Sequence, residues 1–482
     1  MTVLSGVPGL AGVARGWRWL ALHTRPVHPE TAAALAQRWA GLPEISRNPA
    51  QLIGRHSVGC EGTHGVFPKC DLACTPCYHS RDANRVAISG EHTRREVSAQ
   101  MALLRKLRGP RAHAQLIGGE VTLLPPDDHA AVLTSMREAG REPMSMTHGD
   151  FDESYLDQLV LGPDGKRRFK RISFAAHFDS LMFGRRGINR PPDEESLNPY
   201  RERFTQMFDR MRQRHGVRFF LAHNMTVTPR NVDQIAGVIK ASRKLGFGMF
   251  SFQPAAFIGD DRRWHEGYRD NSSDDVWAQI EAGAGTRLPY KALRNGDLRC
   301  NRTTYGLFVG EQYHPFVDDE NAADLRVRDA FLAHLGGINF SGTPPLLLVA
   351  KLIRVVARHP SVLTIFLGWL TRLVRQVGIS QLLRHGARPV SFVMHSFMDA
   401  SVVAPAWSAM QRGEVSTDPG IVATRERLMA CSYAMAHPET GELVPACVQH
   451  SVLDPGENKA LRNLLPLTPV RAAVRAAQGA GV

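Results

Sequence analysis

Three of the seven cysteines in this 482-residue chain fall within eight positions, as Cys70-x-x-x-Cys74-x-x-Cys77. Thiolates are soft anionic ligands, and this spacing lets one loop wrap three corners of an iron–sulfur cube. Three protein ligands leave the fourth iron open to a small molecule, which separates a catalytic cluster from an electron carrier with four protein ligands. The competing readings are chance clustering and a structural zinc on Cys70, Cys74, Cys77 and His79. Zinc is disfavoured because structural sites usually split their ligands into two distant pairs.

Elements that would position this loop follow from the hydrophobic pattern. The apolar run 65–69 predicts a first strand ending at Cys70. Thr93 and Glu96 match a capping box, Val97, Met101, Leu104 and Leu107 recur at helical spacing, and Gly109-Pro110 stops that helix. Strands are predicted over 114–117, 143–146, 171–176, 219–225 and 249–252, with helices between most of them; Pro163-Asp164-Gly165 marks an inserted turn. Six strands alternating with helices imply parallel pairing and right-handed crossovers, as a partial (β/α)₆ barrel or a doubly wound sheet. In either architecture chemistry belongs at the C-terminal strand ends. Residues 1–55 form an N-terminal extension with weak helical periodicity and no assigned chemistry, 56–260 the core, and 261–482 a mixed C-terminal domain.

The cysteine motif followed by Tyr78 resembles the signature of the radical S-adenosylmethionine (SAM) superfamily, whose aromatic residue beside the third cysteine helps enclose the adenine end of the cofactor. Gly118-Gly119-Glu120 after the second strand resembles the superfamily's Gly-Gly-Glu motif, which receives the methionine ammonium. Glycines allow close backbone approach and a carboxylate pairs with an ammonium, so the chemistry agrees. Thr147-His148-Gly149 stands where the family has Thr-Asn-Gly. Ser173 on the fourth strand and Asn224 on the fifth are candidate ribose or carboxylate contacts. The resemblance covers about residues 64–255 and implies a partial (β/α)₆ radical SAM barrel, a [4Fe-4S] cluster on Cys70, Cys74 and Cys77, bound SAM, and a flavodoxin- or ferredoxin-like electron donor.

Cys60, Cys300, Cys431 and Cys447 remain. Buried cysteine is a common core residue, but Cys300 and Cys447 lie in polar or turn-like surroundings. Four thiolates, or three with Cys60 elsewhere, would hold an auxiliary iron–sulfur cluster, and Cys300, Cys431 and Cys447 are the candidate ligands. The segments Met394–Ala400, Cys431 and His437–Cys447, with Cys300 before Thr303-Thr304-Tyr305, resemble the C-terminal pattern of the tetraether lipid synthase and pterin methylase-like radical SAM group.

Lys+Arg 59 against Asp+Glu 46 makes the chain basic, +13, which favours anionic partners without choosing among them. No stripe of basic and aromatic residues supports specific nucleic-acid binding. The segment 344–378 is basic and apolar, broken at Pro360. It reads as an interfacial hairpin on anionic lipid receiving a lipid or small-molecule substrate, or as an ordinary packed helix pair. Seven cysteines, the absence of a secretory pattern and the lack of about 20 uninterrupted apolar residues predict a cytoplasmic protein, to which the interfacial reading of 344–378 would add membrane association. The leading reading is a radical SAM enzyme that abstracts hydrogen from an unreactive carbon of a substrate left open: a lipid or other long-chain compound fits the subgroup resemblance and the basic segment, with a pterin-like small molecule or a peptide as alternatives. The alternative is a non-catalytic iron–sulfur or zinc protein for electron transfer or binding.

Overall fold

The computed structural model describes residues 10–77, 85–259, 264–340 and 343–465. Its strands are β1 (Cys60–Gly62), β2 (Ala73–Cys74), β3 (Ala112–Leu116), β4 (Arg141–Thr147), β5 (Arg171–His177), β6 (Met182–Phe183), β7 (Arg218–Val227), β8 (Met249–Pro254), β9 (Asn301–Val309), β10 (Gln312–Pro315), β11 (Arg388–His395), β12 (Tyr433–His437) and β13 (Glu442–Pro445). Eleven of them form one sheet in the order β10-β9-β11-β8-β7-β5-β4-β3-β1-β12-β13. The central six, β1, β3, β4, β5, β7 and β8, pair in parallel throughout. The helices Gly90–Arg108, Pro126–Glu138, Glu153–Val160 and Asn198–His215 fall between successive strands, as parallel crossovers require. The result is a curled parallel half-barrel.

The later chain extends the same sheet on both edges. β11 adds parallel to β8 and β9 antiparallel to β11, while β12 adds parallel to β1 and β13 antiparallel to β12. The two flanks meet where Asn301 Nδ2 donates to Ser432 Oγ at 3.0 Å. Strand alternation then sorts side chains between an inner face and the helix layer. On β4, Pro143, Ser145 and Thr147 are buried, while Met144 and Met146 line the inner cavity. Behind the sheet a continuous apolar core runs from Val97 and Leu133 through Phe174, Phe208 and Phe250 to Phe392.

The first strand lies earlier than the apolar run predicts. Residues 65–69 are loop, because Gly65 has φ 63° and the carbonyls of Phe67 and Lys69 accept from Gly119 N (2.6 Å) and Glu120 N (2.9 Å) instead of joining a ladder. Val66 and Phe67 are apolar because they are buried in that position. The first helix starts at Gly90, ahead of the predicted capping box: Ser89 is the N-cap and accepts from His92 N at 3.2 Å, while the Thr93 hydroxyl donates back to Ser89 O.

The segment 344–378 forms two helices, Pro345–Arg358 and Ser361–Val377, joined at His359-Pro360. Val355 and Val362 pack with Leu335 and Ile338, and Leu373 and Val377 with Val309. Lys351 and Arg354 turn inward: Lys351 donates to the carbonyls of Arg25 and Pro26, and Arg354 to that of Ala21. They neutralise carbonyls at the end of the helix Leu10–His23. No single helix among the described residues is long and apolar enough to cross a membrane; Ser361–Val377 and Ile379–His385 meet that length only as a pair bent by 74°.

Candidate active site

Inside the curl lies a cavity of about 240 Å³ whose lining includes all seven cysteines. Strand alternation supplies its walls. Gln115, Met144, Met146, Ala175, His177, Asn224, Thr226, Ser251 and Gln253 project inward at or near the C-terminal ends of five parallel strands.

Cys70, Cys74 and Cys77 occupy one loop that three attachments hold. First, β2 pairs with β6, setting Cys74 opposite Met182. Second, the loop's base packs directly on the Gly118-Gly119 turn. A Cβ on Gly119 would stand 2.0 Å from Lys69 O, and one on Gly118 would stand 2.4 Å from the Phe67 ring. These glycines therefore serve the cysteine loop's own packing. Third, His148 Nε2 meets Asp71 Oδ1 at 2.7 Å, joining the end of β4 to the residue after Cys70.

Glu120 organises this corner. Its buried carboxylate accepts from Thr122 N (3.0 Å), Thr122 Oγ1 (2.7 Å), Thr147 Oγ1 (2.7 Å) and His148 N (2.7 Å). A carboxylate offers about four lone-pair positions. Glu120 thus lines the cavity as a tether between the Gly-Gly turn and the Thr147–Gly149 turn, with three of these bonds on Oε1 and only that of His148 N on Oε2. Gly149 has φ 73°, which only glycine adopts without strain.

The electrostatics suit soft cationic ligands. Burial, reinforced by Glu120, pushes the Cys70 thiol up to about 12. The Cys74 thiol is raised well above its ordinary value, first by its hydrogen bond with Cys77 and then by burial. Burial alone would lower His148, but Glu120 and Asp71 outweigh it and its pKa is raised. Thiols this reluctant to ionise alone become ligands when a cation replaces their protons. For an iron–sulfur cluster the donor set fits: three sulfurs, one loop, and backbone held on both sides.

The other four cysteines gather where the sheet's flanks meet. Cys60 opens β1, Cys300 precedes β9, Cys431 precedes β12, and Cys447 follows β13. Burial raises Cys447, and the neighbouring Cys431 and Cys300 raise it further. Burial also lifts Cys300 to about 11 against the opposing Arg427, whose Nε lies 3.1 Å from its sulfur. Burial and Glu61 lift Cys60 to about 11. Arg38 from the N-terminal extension donates to Met429 O (3.0 Å) and Cys431 O (2.7 Å), fixing this corner from outside.

Of the other residues singled out in the sequence, Asn224 lines the cavity and Ser173 does not. Ser173 shares the inner face of β5 with Ala175 and His177 but sits four residues below the strand end, roughly 13 Å at strand rise. Tyr78 lies outside the described residues. Sequence reasoning missed His177, whose Nε2 meets Asp179 Oδ2 at 2.6 Å and Thr226 Oγ1 at 3.1 Å. It also missed Asp71 and Arg427. The one available signal was polar residues breaking the apolar pattern at strand ends.

No family model and no curated protein matches this chain. Among solved structures, Streptococcus suis SuiB bound to S-adenosylmethionine matches at 15% identity and TM-score 0.28, over 41% of this chain and 41% of its own. The structure titled native anSMEcpe with bound AdoMet and Cp18Cys peptide matches at 15% identity and TM-score 0.31, over 46% of this chain and 56% of its own. The chain therefore spans less than two thirds of these relatives' length. Overlap at this level assigns no function.

Proposed function

We propose that the protein is a radical SAM enzyme. The observation that carries this reading is the placing of Cys70, Cys74 and Cys77 on one loop at the C-terminal ends of a parallel half-barrel, facing its inner cavity. Cys70, Cys74 and Cys77 would hold a [4Fe-4S] cluster, and the wall from Gly118 to Glu120 with Asn224 would bound the SAM site. With both bound, the chemistry supplied is one-electron cleavage of SAM to a 5′-deoxyadenosyl radical, which takes hydrogen from an unreactive carbon; the electron would come from a flavodoxin- or ferredoxin-like donor. The chain's own residues orient and exclude water. Glu120 and His148 hold the cysteine loop against β3 and β4, and Met144, Met146 and Ala175 supply the apolar part of the cavity wall.

Two finer readings accompany it. Cys300, Cys431 and Cys447, with Cys60 nearby, would hold an auxiliary cluster, supported by their shared cavity wall and mutual influence. The outer faces of the helix pair would rest on anionic lipid and admit a long-chain substrate. Leu346, Val349 and Ile353 form one outward apolar stripe and Leu363, Leu367 and Leu370 another; Leu346 is 87% exposed. Flotation with anionic liposomes at low salt tests the lipid reading, and a protein left unbound contradicts it.

The test of the main reading is anaerobic reconstitution with iron and sulfide, then SAM with dithionite. The reading predicts 5′-deoxyadenosine from wild type and none from a Cys70/Cys74/Cys77→Ala variant. No nucleoside from cluster-loaded wild type would favour an electron-transfer or binding protein.

A further inference from the structure

Apart from the cysteine cavity, His64, His437 and Glu457 bring ligand atoms within 4.8 Å of one another. His64 follows β1 and His437 ends the neighbouring β12, so their rings stack with centroids 4.0 Å apart and planes at 22°. Each ring directs Nε2 at a carbonyl oxygen. His64 Nε2 lies 2.8 Å from Ala436 O, and His437 Nε2 lies 2.6 Å from Gln449 Oε1. The Gln449 amide is oriented by its other end, where Nε2 donates to Asp454 Oδ1 (2.9 Å) and Glu457 Oε2 (3.0 Å). Both Nε2 atoms therefore carry the proton, and both Nδ1 atoms face carboxylates. His64 Nδ1 is 2.9 Å from Glu457 Oε2, while His437 Nδ1 is 2.7 Å from Glu439 Oε1 and 3.9 Å from Glu457 Oε1.

We propose that His64 Nδ1, His437 Nδ1 and Glu457 form a site for one divalent cation of the zinc class. A histidine whose second ring nitrogen is tied to a carbonyl is in the state and orientation in which metal-ligating histidines are found. Two imidazoles and one carboxylate are a donor set that suits zinc, and Glu439, 62% exposed, touches only His437.

The site joins three parts of the chain that are far apart in sequence: the end of β1, the end of β12 and the helix Asp454–Leu464. On that helix Asp454 also holds His450 Nδ1 at 2.8 Å, and His450 lines the cysteine cavity beside Cys447. The ion would thus pin the last helix over the strand ends and fix one cavity wall. It is independent of whether the cavity performs SAM chemistry.

The test is zinc analysis of the untagged full-length protein after dialysis with Zn²⁺ and a weak chelator, combined with zinc K-edge X-ray absorption. Expected is about one retained zinc per chain with nitrogen and oxygen ligands, imidazole outer-shell scattering and no sulfur. Gln449→Leu should weaken retention by roughly 10–100-fold, and the isosteric Glu457→Gln should lose the ion while keeping the wild-type far-UV circular dichroism. Wild type that releases its zinc, zinc bound through sulfur, or Glu457→Gln binding as tightly as wild type would each overturn the proposal.

Discussion

The two groups of cysteines face one cavity but are built in opposite ways. Cys70, Cys74 and Cys77 sit on a single loop locked by β2, by the Gly118-Gly119 turn and by His148. Cys60, Cys300, Cys431 and Cys447 each stand at a different strand terminus and meet only because β9 and β12 close the sheet. A loop-borne ligand set depends on local packing, so small changes beneath it should matter. A dispersed set depends on the whole flank, including Arg38 from the N-terminal extension, and should be the first lost when the flank loosens.

The largest effect should come from removing the loop thiols. The Cys70/Cys74/Cys77→Ala variant should form no 5′-deoxyadenosine above background by chromatography, while its far-UV circular dichroism stays native. Next is the packing beneath the loop. Gly119→Ala forces a Cβ to 2.0 Å from Lys69 O, a backbone atom that cannot step aside. Overpacking of this kind costs roughly 1–3 kcal/mol, and urea titration together with iron analysis should show lower stability and lower loop-cluster occupancy. Gly165→Ala, with nothing near its Cβ, should leave iron content unchanged and measures only the strain of a positive φ.

The dispersed set should respond differently. Cys300→Ala/Cys447→Ala should lower reconstituted iron from about eight to about four per chain, one cube's worth. Formation of 5′-deoxyadenosine without substrate should stay within about twofold of wild type. Loss of that activity together with the iron would show that the two groups hold a single cluster, and the contrast between them would collapse.

The loop set was legible in the sequence because its three cysteines lie in one turn of chain and their spacing is chemical information in itself. Five of the six barrel strands were legible for the same kind of reason, through local period-two patterns and Gly or Pro stops. The first strand was not. Val66 and Phe67 are apolar because they seat the cysteine loop, and the real strand, Cys60–Gly62, is too short to show a period. His177 and Arg427 were invisible because their importance comes from partners about fifty and more than one hundred residues away, at Thr226 and Cys300. The pattern of 344–378 left lipid contact and ordinary helix packing open, because a basic residue such as Lys351 in an apolar helix looks the same whether it faces lipid or caps another helix.

The change expected to touch nucleoside formation least separates barrel stability from cavity chemistry. His129 is fully buried behind β4, bonded to Ser145 Oγ (2.8 Å) and Tyr155 OH (3.0 Å), and burial lowers it to about 3. A folded-state pKa below the unfolded value means its contribution is present above about pH 6.5 and is lost as pH falls toward 3. Over that window one such histidine contributes a slope of about 1.4 kcal/mol per pH unit. His129→Gln should flatten the acid limb of a urea-midpoint profile by up to that amount without altering nucleoside formation at pH 7.5.

The most direct test of the central claim is electron paramagnetic resonance of the reduced protein carrying Cys300→Ala/Cys447→Ala, recorded with and without SAM. An open fourth iron on the Cys70, Cys74 and Cys77 cluster predicts a [4Fe-4S]⁺ signal whose g-values shift when SAM is added. A cluster signal indifferent to SAM would contradict the account and make this loop the home of an electron carrier.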